Sequence, residues 1–148
     1  MDFMHNQSDK YTIFYLDDDF DDQYLFRETL ENIQSSHELY TQSEGEELLQ
    51  LLESPPPSPS MIFLDLNMPG MTGFEVLEKI KTSAKSEKIP VIIFSTSSDE
   101  STKVRCRELG ANMFITKPQD YRQLTSVLDR VLKINWRNPS SYKFQISN

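Results

Sequence analysis

Short apolar runs recur along this chain, each followed by a stretch whose apolar residues fall at helical spacing, and few architectures accept that rhythm. Tyr11–Leu16 reads as a strand from its aromatic and β-branched content, and Tyr24–Leu30 as one face of a helix. A weaker strand near Leu39–Thr41 precedes Ser43 and Glu46, which have the spacing of a capping box, and then the leucines at 48, 49, 51 and 52. The proline run Pro55–Pro59 reads as a stiff, extended connector. Met61–Leu66 is predicted as the third strand and Gly73–Lys81 as the third helix, with Phe74, Leu77 and Ile80 at helical spacing. Pro90 opens a fourth strand, Val91–Phe94. A polar turn, Ser95–Asp99, leads to a helix over Glu100–Leu109 that Gly110 can close in a left-handed conformation. Met113–Thr116 is the fifth strand. Tyr121–Ile134 is the last helix, with Leu124, Val127, Leu128, Val131 and Leu132 inward.

Five strands alternating with five helices imply an α/β fold: a parallel sheet covered on both faces, because right-handed crossovers place the helices there. Its 148 residues suit one domain. Residues 1–10 read as a flexible lead-in, and residues 135–148 as a polar, mobile tail carrying no effector domain, with Trp136 as a packing residue.

Charge and cysteine content narrow the partners. Twenty-three acids against 15 bases leave a net charge of −8, which works against attraction to nucleic acid or anionic lipid. Apolar runs such as Met61–Leu64 are far shorter than the ~20 residues of a membrane helix. With one cysteine, Cys106, and no export signal in Met1–Lys10, a cytoplasmic location is expected.

In an open α/β sheet, ligands bind beyond the carboxyl ends of the strands. Asp17, Asp18 and Asp19 follow the first strand here, with Asp21 and Asp22 behind them. Asp65 and Asn67 follow the third, Ser95 and Thr96 the fourth, and Lys117 the fifth. Converging carboxylates repel unless a cation neutralises them, and magnesium suits a site of carboxylates and water that leaves room for a phosphate oxygen. Asp65 could then attack phosphorus, with Lys117 offsetting developing charge and Ser95 donating a hydrogen bond.

The motifs Leu16-Asp17-Asp18, Leu64-Asp65-Leu66-Asn67-Met68-Pro69-Gly70, Phe94-Ser95-Thr96 and Thr116-Lys117-Pro118, in this order, resemble those of the receiver domain of response regulators, over residues 11–134. That resemblance implies a flavodoxin-like, doubly wound five-stranded parallel sheet in the order 2-1-3-4-5 with five helices. It implies Asp65 as phosphoacceptor, a Mg2+ cofactor at Asp17, Asp18, Asp65 and the Asn67 backbone carbonyl, and Lys117 and Ser95 as the catalytic lysine and hydroxyl. Ser95 and Phe114 take the switch positions. The implied partners are a sensor histidine kinase or phosphotransfer protein and a downstream protein target, with no nucleic acid or membrane, and a monomer or homodimer. The chain is similar to single-domain, chemotaxis-type regulators, and Phe94–Ser98, Ile115–Lys117 and Trp136 also resemble the small regulators paired with phytochrome-type kinases. Thr96 stands where many receivers carry Ala or Gly, which would restrict attacking water.

Competing readings use the same acids. Asp19 or Asp21 taken singly would simply cap the following helix. Asp17, Asp19, Asp21 and Glu28 mimic a calcium loop, but Asp22 stands where that loop needs glycine. A haloacid-dehalogenase-like phosphatase would use Asp17 as nucleophile and Asp19 as acid/base. A phosphorylation-independent interaction module on the same fold is the third alternative. His37 precedes the second strand, at the opposite end of the sheet from the acids, which leaves no triad.

Overall fold

The computed structural model describes residues 10–33, 36–54, 60–138 and 143–145. Five strands, β1 (Thr12–Leu16), β2 (Glu38–Gln42), β3 (Ser60–Leu64), β4 (Val91–Ser95) and β5 (Met113–Thr116), alternate with α1 (Phe20–Ile33), α2 (Gly45–Leu51), α3 (Gly73–Thr82), α4 (Glu100–Glu108) and α5 (Tyr121–Leu132). All pairings are parallel and the strand order is β2-β1-β3-β4-β5, the flavodoxin-like arrangement. The proline connector and residues 1–9 lie outside the described residues.

β1, β3 and β4 are buried throughout, as continuous apolar runs covered on both faces must be. The two-residue period of a strand divides the core. Ile13, Tyr15, Met61, Phe63, Ile92 and Phe94 pack with Phe26 and Leu30 of α1 and the inner face of α5. Phe14, Leu16, Ile62, Leu64, Ile93 and Phe114 pack on the other side with Leu48 of α2, Leu77 of α3 and Cys106 of α4. Trp136 joins the α1/α5 layer and donates its indole N–H to Val131 O at 3.2 Å, a packing role.

Several element ends differ from the sequence reading. α1 begins at Phe20, four residues before the predicted Tyr24, because the Asp19 carboxylate accepts from the N–H groups of Asp21 and Asp22. The Ser43/Glu46 box does not form: Glu44 is the N-cap of α2 without a side-chain bond, and Glu47 instead accepts from the Ser43 N–H at 3.0 Å. A true capping box joins Thr72 and Glu75 at the start of α3. β3 starts at Ser60 and stops at Leu64, not Leu66, since the Leu66 carbonyl is taken by the N–H groups of Met68 and Gly73. α5 ends at Leu132. Gly110 does close α4, with φ +104° and a bond from its N–H to Arg107 O, while Ala111 bonds back to Cys106 O. Within the tail, Phe144 and Gln145 lie on β5: the Phe114 N–H donates to Phe144 O, and Gln145 bridges Phe114.

Candidate functional site

Register brings the acids together. Leu16 of β1 lies opposite Leu64 of β3, so the next residues, Asp17 and Asp65, leave the sheet side by side; the Asp65 N–H donates to Leu16 O at 3.0 Å. Asp17 is fully buried, Asp65 is 4% exposed and Asp18 is exposed. One carboxylate oxygen from each of Asp17, Asp18 and Asp65 lies within 4.8 Å of the others. Three hard oxygen donors, one of them open to solvent, fit a small divalent cation that keeps part of its water.

β5 supplies the countercharge. Ser95 pairs with Thr116, which places Lys117 beyond the same edge, and its N–H donates to Ser95 O at 2.8 Å. The Lys117 ammonium lies 2.7 Å from Asp17, 2.8 Å from Asp22 and 3.6 Å from Asp65. Burial works against its charge, but the hydrogen bonds to Asp17 and Asp22 and the charge of Asp65 outweigh it and hold the group above the usual lysine range. Burial raises the Asp65 pKa; Lys117 opposes that, Asp17 adds to it, and the net effect is a pKa pushed up to about 6.

Ser95 is fully buried, and its hydroxyl oxygen accepts from the Ser97 N–H at 3.2 Å and the Asn67 side-chain amide at 3.4 Å. Asn67 also donates to Ser97 Oγ at 3.1 Å, linking the β3 and β4 loops over the site. Asn67 and Thr96 are exposed beside it. Phe114, 1% exposed, lies in the core below α4 and not at the acids. His37 sits at the far end, its Nδ1 accepting from the Tyr11 N–H.

Three further residues shape the site beyond those to which the sequence assigns a role: Tyr15, Asp22 and Gln23. The Tyr15 hydroxyl donates to Asp17 at 2.5 Å, and burial together with the Asp17 charge raises its pKa far above normal. Tyr15 and Asp17 are two apart on one strand face, a signal present in the sequence. Asp22 reaches Lys117 from the first turn of α1, and only the helix start at Phe20 reveals that. Gln23 donates to the Asp17 and Gln42 carbonyls, at 2.6 and 3.2 Å, tying α1 to the β1 and β2 ends.

The phosphatase reading loses its acid/base: the Asp19 carboxylate is occupied as a helix cap, and its proposed nucleophile, Asp17, is buried beneath Tyr15 and Lys117.

Known proteins resemble this chain in sequence and fold. The response regulator receiver domain profile matches residues 13–129. The chain is 43% identical over 88 residues to the two-component response regulator ORR11 of Oryza sativa subsp. indica, covering 60% of this chain and 59% of that protein. It therefore spans about three fifths of that relative's length. It is 30% identical over 115 residues to the response regulator Rcp1 of Synechocystis, covering 74% of this chain and 78% of Rcp1. Among solved structures it is similar to the phosphorylated cyanobacterial phytochrome response regulator RcpA, with a TM-score of 0.74, 33% identity, and coverage of 82% of this chain and 90% of RcpA. The Mn(2+)-bound form of Rcp1 matches at a TM-score of 0.70 and 30% identity, over 82% of this chain and 91% of that one.

Proposed function

The chain belongs to the response regulator receiver domain family of two-component systems, and we propose that it accepts a phosphoryl group on Asp65 from a sensor histidine kinase or phosphotransfer protein. The observation that carries this reading is the convergence of Asp17, Asp18, Asp65 and Lys117 beyond three strand ends, with Asp65 almost enclosed.

An Asp65 carboxylate oxygen attacks phosphorus; the new O–P bond forms as the bond to the departing histidine nitrogen breaks, and the electron pair leaves with that nitrogen. Lys117 offsets the charge on the transferring group, and the Ser95 hydroxyl donates to one of its oxygens. Magnesium, held by Asp17, Asp18, Asp65 and the Asn67 backbone carbonyl, would supply further neutralisation of the phosphoryl oxygens. The reaction is self-catalysed, with slow loss of phosphate because Thr96 narrows the approach of water. Ser95 moving toward the new group draws on Phe114 and alters the face formed by α4, β5 and α5, a population shift limited by the differential affinity of the two states.

The likeness to RcpA, a cyanobacterial phytochrome response regulator, supports a phytochrome-type kinase as donor. The acidic net charge supports a protein, not a nucleic acid, as the downstream partner. No helix among the described residues is long and apolar enough to cross a membrane, which is compatible with the proposed cytoplasmic setting. Residues 11–134 form the proposed receiver unit, acting as monomer or homodimer.

Fluorine NMR with beryllofluoride, a phosphoryl mimic, tests the site. Bound fluorine signals are expected only with magnesium present and Asp65 intact. Signals that persist in Asp65→Asn would overturn the assignment.

A further inference from the structure

β5 is the last strand in the sheet order, so one row of its backbone groups faces away from any of the five strands. Part of that row is occupied. The Phe114 N–H donates to the Phe144 carbonyl at 2.6 Å, and Phe114 forms a parallel bridge with Gln145. The rings of Phe114 and Phe144 lie 6.5 Å apart, centroid to centroid. The Arg107 guanidinium stands 4.5 Å from the Phe144 ring centre, a cation–π distance. One turn earlier on α4, the Lys103 ammonium is 5.9 Å from the Phe114 ring centre and 3.5 Å from Gln145 Oε1. Two consecutive residues, Phe144 and Gln145, thus contact the backbone and ring of Phe114 and two cations of α4.

We propose that Lys143–Gln145 is an internal strap: it occupies the α4–β5 edge as a fragment of a sixth strand, covers Phe114, and closes this edge to any partner that would pair with β5. The inference rests on the proposed function only in taking the Phe114 face as the output surface. The attachment is small, one bridge and one aromatic anchor, so it opens locally while the sheet stays folded. A competing partner must supply what the strap supplies: an extended segment with an aromatic side chain to lie under Arg107.

Hydrogen exchange on the full chain tests this. In Phe144→Ala, and in Arg107→Ala as a second variant, the Phe114 amide should exchange at least about tenfold faster, while β1 and β3 amides keep wild-type rates. A synthetic peptide of residues 139–148 should bind Phe144→Ala, restore Phe114 protection, and fail to bind the wild-type chain, whose edge is filled. Wild-type exchange at Phe114 in both variants, or equal peptide binding to both chains, would overturn the strap. Neither readout uses Asp65, so failed beryllofluoride binding would leave this inference standing, and a failed strap would leave the acceptor site standing.

Discussion

Lys117 donates to Asp22 at 2.8 Å, a bond joining the residue after β5 to the first turn of α1. The same ammonium stands 3.6 Å from Asp65, so Asp22 and Asp65 compete for one positive charge. In Asp22→Ala the ammonium shifts its weight toward Asp17 and Asp65, and Asp65 should ionise below its present value of about 6. Stability should change by less than about 1 kcal/mol, because Asp22 is partly exposed. Carboxyl-carbon NMR titration reads the shift; an unchanged or higher Asp65 pKa would count against the competition.

Removing Lys117 is a harsher test. Lys117→Met leaves Asp17 buried with Tyr15 and the Asp19 N–H as its hydrogen-bond donors, beside two other carboxylates. An uncompensated buried charge costs about 3–5 kcal/mol, and the cation-free variant should melt correspondingly lower. Magnesium should recover part of the loss, about 2.7 kcal/mol at a hundred times its dissociation constant. Thermal unfolding with and without magnesium measures both, and a variant indifferent to magnesium would contradict a shared cation site.

The Asp65 carboxyl titrates at about 6 in the fold against 3.8 unfolded, so the folded state holds its proton more tightly. Its contribution is therefore stabilising at acid pH and is lost as pH rises from about 4 through about 6. In the absence of divalent ions, Asp65→Asn should be more stable than the wild type at pH 8, by about 1–3 kcal/mol, and the difference should vanish near pH 4. Urea melts across that range, free of metal, are the check; a variant less stable at pH 8 would reverse the sign.

Gly73 sets the acceptor loop. A Cβ there would meet Asp65 O at 2.3 Å and the Leu66 Cα at 2.6 Å, both backbone atoms that cannot swing aside. Gly73→Ala should destabilise the chain by about 1–3 kcal/mol and displace Asp65. Calorimetry should show the loss, and magnesium affinity should fall with it; an unperturbed variant would mean that α3 can move outward without cost.

Sequence patterning exposed the βα alternation because buried parallel strands leave continuous apolar runs, as in β1, β3 and β4. It placed Asp17, Asp18, Asp65, Ser95 and Lys117 at one end of the sheet because each ends or follows a strand, and strand ends converge. Residues that act from a helix were less visible: Asp22 reaches Lys117 only because Asp19 starts α1 early, and one extra turn decides which way a side chain faces. The Ser43/Glu46 box failed for a similar reason, as Glu47, one residue on, made the bond instead. The strap carries a strand-like alternation, Tyr142, Phe144 and Ile146 between polar residues, but the run is short and its partners Phe114 and Arg107 are distant in sequence, so the pattern alone does not say where it docks.

Phosphoryl acceptance at Asp65 is tested most directly by intact-protein mass spectrometry after incubation with a small acyl phosphate and magnesium. The wild-type chain should gain one phosphoryl group, removed by mild base and mapped to the peptide containing Asp65, while Asp65→Asn and magnesium-free samples gain none. Equal phosphorylation of Asp65→Asn, or a group mapped to another residue, would contradict the account.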